Sequence, residues 1–399
     1  MKSIAMRSTP PPMWLIALTV ASAVMGLTVL TPALPLVQGD LGASTGAVQQ
    51  LLTVYLVALA AGQLVYGTVS DRIGRRPVLL FGALLYGIGG VAAAMADSIE
   101  VLTFHRVIQG LGAAACLSMG RAIVNDCFTR LDAARNLSTV QTMMAVVPIL
   151  SLSFGGILAQ EAGWTGSMII ISAGGFLVFA LSLFMVAETN SNPTSSINLT
   201  AVVAAYTEVL RNRIFVCFAL TSGMQSGMFL AMNGFMPYQY QRLGFSPTEF
   251  GLWFSLTSVF YMLGNTVNRV YFISRGIERA AMIGCCLTLV SVIALYTTQA
   301  IGMTHALALA LPCCLFGFSN GIVIANATVG AISSAGQHAG TGSGLTGAGQ
   351  MAAGAIAGSI IVGLGGARNF QLAAAGLILM SLVSVASIAY VYRRRPSPD

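Results

Sequence analysis

The residues with the most concentrated chemical capacity lie in one short segment, Gly67-Thr-Val-Ser-Asp71-Arg72-Ile-Gly74-Arg75-Arg76. It holds one acid and three arginines in a chain of which only 8% is charged. Long apolar runs precede and follow it. Such charges can pair at a membrane surface, but they enter a bilayer only at high cost. The segment therefore predicts a cytoplasmic hinge between two membrane helices, an arrangement typical of a transporter.

A second charged residue, Arg106, lies several residues inside a long apolar run. A guanidinium at membrane depth costs from about 3 to about 17 kcal/mol unless it faces protein or water. Gln109 and Gly110 extend the same helical face at spacings of three and four residues. The pattern predicts a polar surface toward a central cavity, and the alternative is that Arg106 extends to the outer interface.

The elements that position these residues are indicated by composition. Of 399 residues, 56% are hydrophobic, and the mean hydropathy is +0.81. A soluble globule would expose more apolar surface than water tolerates. Runs of about 20 apolar residues match a hydrocarbon core about 30 Å thick. Twelve such runs predict an all-α membrane protein with twelve transmembrane helices, at residues 14–37, 47–69, 77–96, 101–124, 137–160, 164–187, 213–237, 248–270, 278–298, 304–329, 341–365 and 369–392.

Basic residues predict the orientation, because cytoplasmic loops are enriched in lysine and arginine. One side holds Lys2, Arg7, Arg72, Arg75, Arg76, Arg121, Arg130, Arg135, Arg211, Arg213, Arg269, Arg275, Arg279 and Arg393 to Arg395. The other side holds only Arg242 and Arg368 as basic residues, beside Asp40, Asp97, Glu100, Glu161 and Glu249. Both termini are therefore predicted to be cytoplasmic. The net charge of +7 is better suited to anionic lipid than to nucleic acid, since no basic segment has interleaved aromatic residues.

The polar stretch that begins at Glu188 divides the chain. It predicts an N-terminal six-helix half at residues 1–188, a cytoplasmic linker at 189–212 with a surface helix near 197–210, and a C-terminal six-helix half at 213–399. Two such halves are what alternating access uses, with the substrate held near the membrane midplane between them.

The pattern of acids restricts the chemistry. Every aspartate and glutamate falls in a loop or at a helix end. The usual proton carrier is a desolvated carboxylate, and no acidic residue of this chain is expected at that depth. The substrate is therefore expected to be neutral, zwitterionic or anionic. Proton coupling would need His105, His305 or Asp40 at the outer mouth of the first helix. The other possibilities are an uncoupled facilitator and coupling through the charge of the substrate.

The later runs carry polar groups at membrane depth, where unsatisfied amides are costly. Each either lines a substrate cavity or only bonds a neighbouring helix: Gln225, Asn233, Tyr238, Tyr261, Asn265, Asn320 and Asn326. The seven cysteines lack metal-ligand spacing, and no lysine-serine or lysine-threonine pair follows the glycines after Gly340. We therefore expect no enzyme activity, no metal and no cofactor. The expected energy source is a proton gradient.

The segment 67–76 resembles the signature loop of the major facilitator superfamily. Three further stretches are similar to the Bcr/CflA drug-efflux group: Gln49-Gln50-Leu-Leu-Thr-Val-Tyr55 leading to Gly62-Gln63, Arg106-Val-Ile-Gln109-Gly110-Leu-Gly112, and Asn326-Ala-Thr through Ala339-Gly340-Thr-Gly-Ser-Gly. The resemblance implies a bacterial inner-membrane exporter, in which the position of Arg106 assists proton coupling. Related exporters often have an aspartate in the first helix, where this chain has Thr28.

The resemblance also implies a conformational lock at the hinge between residues 67 and 76. Asp71 would face the N-terminus of the eleventh helix near Gly340, where unpaired amides carry partial positive charge, and Arg72 would pair with Asp126. These contacts would hold the outward-facing state.

In related antiporters the fifth helix also has a glycine-proline kink and then a glycine pair, which bring it close to the eighth helix. This chain keeps Pro148, Gly155 and Gly156 but has Val147 at the place of the kink glycine, so the motif is partial.

These observations predict a multi-pass, monomeric secondary transporter that exports drugs or drug-like molecules in exchange for protons. The alternative is an exporter or facilitator of a neutral or anionic metabolite, such as a sugar or amino-acid derivative, without proton coupling. From a different class, a non-transporting membrane receptor on the same fold is a distant alternative. The expected partners are a small-molecule substrate and the lipid bilayer, with no nucleic acid.

Overall fold

The structure is a computed structural model that describes residues 10–128, 130–190 and 199–394. Every regular element in those ranges is helical. The α-helices are α1 (Met13–Thr28), α2 (Leu34–Asp40), α3 (Thr45–Ile73), α4 (Arg75–Ala94), α5 (Ile99–Cys127), α6 (Arg130–Met185), α7 (Leu199–Arg211), α8 (Arg213–Arg242), α9 (Pro247–Val267), α10 (Ile277–Ala300), α11 (Ala306–Ser334), α12 (Ala339–Gly363) and α13 (Phe370–Arg393).

Two features of the chain turn these helices into twelve crossings. A 3₁₀ turn at Thr31–Ala33, which contains Pro32, joins α1 and α2 into one crossing. The long α6 makes two crossings, because Gly163 breaks the helix with φ of 64°. Ten segments of the described chain are long and apolar enough to span a membrane. The division of α6 and the addition of α9 give the twelve helices that the sequence predicts.

The short α7 lies outside this set of crossings. It lies at residues that the sequence assigns to the linker, and residues 191–198 of that linker lie outside the described residues, as do Lys2, Arg7 and Arg395. We refer to α1–α6 as the first set and to α8–α13 as the second set.

The two ends of the bundle differ in charge. The basic end carries the α3–α4, α5–α6, α9–α10 and α11–α12 connections and the C-terminus of α13. The far end carries the α2–α3, α4–α5, α8–α9, α10–α11 and α12–α13 connections, together with the bend at Gly163.

Glycines allow the helices of the first set to approach closely. A Cβ atom at Gly112 on α5 would lie 2.4 Å from the backbone nitrogen of Tyr86 on α4. A Cβ at Gly110 would lie 2.8 Å from the carbonyl oxygen of Tyr55 on α3. Small residues let helix backbones pack tightly in a membrane. This packing fixes the positions of Arg106, one turn before Gly110 on α5, and of Gln109, directly before Gly110.

Candidate functional site

Arg106 lies inside the first set and has no exposed surface. Its Nε donates a hydrogen bond to the carbonyl oxygen of Leu51 at 3.3 Å, and its Nη1 donates to Oε1 of Gln109. The guanidinium carbon lies 4.3 Å from the ring centroid of Tyr55, within the range of a cation–π interaction. The alternative that Arg106 extends to the outer interface is therefore wrong, because helices enclose it on every side.

Two tyrosines join further helices around this arginine. The hydroxyl of Tyr55 donates to the carbonyl oxygen of Ala23 at 2.7 Å. The hydroxyl of Tyr86 donates to the backbone carbonyl oxygen of Ser22 at 2.6 Å. Both acceptors lie on α1, whereas the tyrosines lie on α3 and α4. Helices α1, α3, α4 and α5 thus meet in one buried polar cluster, which we call the arginine cluster: Tyr55, Tyr86, Arg106 and Gln109.

Two donors of the arginine cluster lack a hydrogen-bond partner within the described chain. They are Nη2 of Arg106 and Nε2 of Gln109, and both are buried. No described carboxylate forms an ion pair with Arg106. A buried donor without an acceptor costs about 1–3 kcal/mol, and an unpaired charge costs more. The cluster therefore retains two buried donors whose cost no described acceptor offsets.

The charged segment at the basic end turns into α4 at a glycine that its geometry requires. Gly74 has φ of 103°, which residues with a Cβ rarely adopt. The carboxylate of Glu188 lies beside it and caps α4, because Oε1 accepts from the backbone nitrogen of Arg75 at 2.9 Å and Oε2 from that of Arg76 at 3.1 Å. An anion is stabilised at a helix N-terminus. Sequence reasoning placed Glu188 only at a boundary and missed this role.

Arg75 is the centre of the ion pairs at this hinge. Its Nε lies 2.9 Å from Oδ2 of Asp126, and its Nη1 lies 2.5 Å from Oδ1 of Asp71. Within the described chain, Asp126 thus pairs with Arg75 rather than with Arg72, which corrects the predicted pair. The physical reason is that α4 begins directly after Gly74 and directs Arg75 toward the end of α5.

The other residues of the hinge have different surroundings. Nη2 of Arg76 donates to the carbonyl oxygen of Leu183 at 2.9 Å. Arg72 is exposed. A Cβ at Gly67 or at Gly340 would contact nothing within 4 Å. The contact of Asp71 with the N-terminus of α12 stays a prediction.

Four hydrogen bonds between described residues join the first set to the second, and all lie in the half of the bundle toward the far end. They are Thr31 Oγ1 to Asn233 Oδ1 at 3.2 Å, Tyr238 hydroxyl to Leu34 carbonyl at 3.5 Å, Thr53 Oγ1 with Ser359 Oγ at 2.8 Å, and Thr248 Oγ1 to Gly156 carbonyl at 3.3 Å. The two sets are thus in contact at this end.

Gln49 fills part of the same seam. Its side chain lies between α8 and α12, so that a Cβ at Gly234 would lie 2.0 Å from Oε1 and a Cβ at Gly358 would lie 2.5 Å from Nε2. Gln49 is only 4% exposed. We call this arrangement the Gln49 notch. In the sequence, Gln49 belongs to one of the stretches that resemble the Bcr/CflA group. Nothing in the sequence indicated that two glycines of other helices face it.

The glycine pair on α6 packs in two directions, with Gly155 against Val29 of the first set and Gly156 across a second part of the seam. A Cβ at Gly155 would lie 2.5 Å from the carbonyl oxygen of Val29, and one at Gly156 would lie 2.5 Å from that of Pro247. From α9, a Cβ at Gly251 would lie 2.3 Å from the carbonyl oxygen of Leu152. The structure therefore brings α6 and α9 together at the glycines, while Pro148 is buried inside α6.

The polar residues of the second set separate into three groups. Gln225, Asn320 and Asn326 form hydrogen bonds within the second set. Thr288 donates to Oε1 of Gln225 at 3.2 Å, and Nδ2 of Asn320 donates to the Gln225 carbonyl at 3.4 Å. Nδ2 of Asn326 donates to Oδ1 of Asn268 at 2.7 Å. Asn233 and Tyr238 bond to the first set. Tyr261 and Asn265 are half-buried, and no side-chain hydrogen bond is described for either.

The candidates for a proton site are dispersed. Oγ1 of Thr28 donates to the Val24 carbonyl of its own helix at 3.0 Å. Nδ1 of His305 accepts from the Leu307 backbone nitrogen at 3.3 Å, which caps α11. His105 is half-buried with Nδ1 unpartnered, and Asp40 is exposed at the end of α2. Arg106 is the only charged side chain among the described residues that is fully buried.

A profile of the Major Facilitator Superfamily matches residues 16–358, and the chain belongs to this family. It is therefore a transporter rather than an enzyme, and a multi-pass inner-membrane protein.

Individual relatives agree with this assignment. The chain is 28% identical to the "Uncharacterized MFS-type transporter YdgK" of Bacillus subtilis over 92% of its own length and 91% of the relative. It is 23% identical to the "Bicyclomycin resistance protein homolog" of Haemophilus influenzae over 92% of each. The solved structure of a D-xylose-proton symporter has the same fold, with a TM-score of 0.78 at 15% identity, covering 96% of this chain and 98% of the other. The resemblance derived from the sequence motifs is confirmed.

Proposed function

We propose that this protein is a secondary transporter that exports drugs or drug-like small molecules by alternating access, in exchange for protons. The observation that carries the proposal is the arginine cluster: a fully buried guanidinium with an unpartnered donor beside an unpartnered amide, inside a member of a transporter family. Such a cost is retained in a membrane where it serves a substrate or an ion. The relative named for bicyclomycin resistance supports drugs as the substrate class.

For the transport cycle we propose two six-helix halves that rock against each other, joined by the linker at residues 189–212. The seam at the far end, including the Gln49 notch, closes that side in the described state. The basic end is cytoplasmic, as are both termini. Its ion pairs centred on Arg75 join α3, α4 and α5 within the first set, and they order the hinge that closes that side in the opposite state. Asp71, Arg72, Arg76 and Asp126 belong to the same gate.

Substrate and coupling follow from charge. Since Arg106 is buried without a carboxylate, the favoured substrates are neutral, zwitterionic or anionic rather than lipophilic cations. Proton exchange then uses His105 or Asp40, because the place of the aspartate in related exporters is held by Thr28. The protein is expected to act as a monomer.

The test is efflux from proteoliposomes loaded with neutral or anionic antibiotics, including chloramphenicol-like compounds, with and without an imposed pH gradient. Flux that rises with the gradient supports proton exchange. The matched control is Arg106→Ala in the same vesicles, which should abolish flux while the protein stays inserted. Absence of flux for every compound would contradict drug export.

A second candidate function is an exporter or facilitator of a neutral or anionic metabolite without proton coupling. The absence of a buried carboxylate among the described residues favours it. Flux that is indifferent to the pH gradient is the outcome that selects it over the first.

A further inference from the structure

A cavity at the far end brings together the two basic residues of that end. It has a volume of about 300 Å³ and is lined by Gln38, Thr45, Tyr238, Gln241, Arg242, Ala367 and Arg368. Arg242 ends α8, whereas Arg368 lies on the α12–α13 connection. Two arginines distant in sequence thus converge on one cavity that the transport mechanism does not use. We call it the far-end cavity.

The guanidinium of Arg242 is fixed by carbonyl oxygens. Its Nε donates to the Tyr238 carbonyl at 3.4 Å, its Nη1 to the Arg368 carbonyl at 2.5 Å, and its Nη2 to the Ala367 carbonyl. Carbonyl oxygens orient the guanidinium, but they carry no net charge to balance it. A guanidinium with five donors keeps further N–H groups for another acceptor.

No carboxylate neutralises either arginine within the described residues. No ion pair within 4.0 Å is present for Arg242 or Arg368. Asp40, two residues beyond Gln38, is exposed and does not line the cavity. Glu249 is engaged elsewhere, since its Oε2 accepts from the backbone nitrogen and hydroxyl of Ser246. Two arginines, of which Arg368 is exposed, therefore line one cavity together with Ala367 and polar neutral side chains.

The cavity also spans the seam. Gln38 and Thr45 come from the first set, and the other lining residues come from the second. An occupant therefore contacts both sets when the far end is closed and loses one set of contacts when it opens. A ligand shifts a conformational equilibrium by its difference in affinity for the two states.

We propose that the far-end cavity binds an oxyanion group, a carboxylate or a phosphate, between Arg242 and Arg368, and that its binding holds the far end closed. Arginine is the side chain best shaped to bind these groups through paired hydrogen bonds. The volume lies at the lower bound of small-molecule sites, which suits the charged group and a small body. The group comes either from a phospholipid headgroup at the membrane surface or from a small soluble anion.

The experiment measures binding to the full-length protein in phosphatidylcholine nanodiscs. Inorganic phosphate and succinate are titrated against sodium chloride at matched ionic strength, and a parallel sample replaces part of the lipid with phosphatidylglycerol. The readout is the midpoint of thermal unfolding. We expect the midpoint of thermal unfolding to rise and to saturate with at least one probe. The apparent affinity for that probe should be at least tenfold weaker in Arg368→Gln.

Arg279→Gln is the matched control, because Arg279 is an exposed arginine at the basic end; it should behave as wild type. A response to phosphatidylglycerol alone assigns the group to lipid, and a response to phosphate or succinate alone assigns it to a soluble anion. No response beyond that of chloride, or equal responses in Arg368→Gln and wild type, would overturn the proposal.

Closure is tested by the distance between spin labels at Ala43→Cys and Gln371→Cys, with the exposed Cys286 replaced by serine. The responding probe should narrow the distribution toward the shorter distances in wild type and leave Arg368→Gln unchanged. A distribution that the probe does not alter would remove the closing role. These readouts need no transport substrate, so their failure is distinct from failure of the proposed export.

Discussion

The two sets of helices stabilise their interiors by different means. In the first set, the interior centres on a charged arginine with donors left over, and the α3–α4 connection is held by ion pairs of Arg75. In the second set, the corresponding interior is the neutral network of Gln225, Thr288 and Asn320, and the α9–α10 connection has an amide pair, Asn268 with Asn326.

The difference separates two roles. Neutral amides that are largely satisfied within a membrane specify helix packing at moderate cost, whereas an unpaired buried charge is costly and needs a functional reason. From this comparison we propose that the chemistry of the transporter lies in the first set and that the interior of the second set is mainly structural.

The largest expected effect is at Arg106. Replacement by alanine removes the charge and the cation–π contact with Tyr55, so we expect substrate flux to fall by more than about tenfold, the loss that about 1.4 kcal/mol of lost stabilisation produces. Proteoliposome efflux measures it, and size-exclusion chromatography of the solubilised protein checks the fold. An Arg106→Ala variant that transports at the wild-type rate would remove the asymmetry between the sets.

The seam between the sets is expected to be next in sensitivity. Gly156→Ala would force a Cβ to 2.5 Å from the Pro247 carbonyl, and overpacking of this kind costs about 1–3 kcal/mol. The matched control on the same helix is Gly174→Ala, where a Cβ contacts nothing within 4 Å. We expect a lower thermal midpoint for Gly156→Ala alone. Equal midpoints would show that the α6–α9 contact contributes nothing to stability.

The neutral network should respond as a structural element. Gln225→Leu removes hydrogen bonds with Thr288 and Ser384, each with a net contribution of about 1 kcal/mol. We expect a lower thermal midpoint with flux reduced less than about threefold, which corresponds to under about 0.7 kcal/mol. Loss of flux comparable to that of Arg106→Ala, in a protein that stays folded, would mean that the second set also carries chemistry.

The smallest expected effects concern the hinge at the basic end. Arg75→Gln breaks ion pairs with Asp71 and Asp126, which lie near the surface and contribute about 0–1 kcal/mol each. The matched control is Arg72→Gln, because the structure describes no ion pair for Arg72. Cysteine accessibility at the basic end should rise in Arg75→Gln only.

Salt provides a check on this hinge. The Debye length falls from about 10 Å at 0.1 M to about 3 Å at 1 M, so the difference between the two variants should shrink at high salt. A difference that is unchanged by salt would contradict an electrostatic lock at Arg75.

Much of the fold was predictable because membrane helices are determined locally. About 20 apolar residues are needed for each crossing, so the twelve runs appear as twelve helices whose ends differ from the predicted ones by at most seven residues. The turn that joins α1 to α2 contains Pro32, and α7 begins and ends within two residues of the linker helix expected near 197–210. The break at Gly163 lies in the predicted gap between the fifth and sixth runs.

The partners of the site residues were less predictable. The sequence predicted Arg72 with Asp126, whereas Arg75 forms that pair, since three arginines lie within five residues and only the backbone path at Gly74 decides which one reaches α5. The same holds for Glu188, whose helix-capping role depends on α4 and the end of α6 meeting in space.

By itself, the sequence determined the membrane class, the number of crossings, the family and the unusual depth of Arg106, because hydropathy and charge act within a single helix. Only the tertiary structure decided that Arg106 is enclosed, that Gln49 lies between Gly234 and Gly358, and that Arg242 and Arg368 share a cavity. These facts depend on which faces of distant helices meet, and that is set by close packing across the whole bundle.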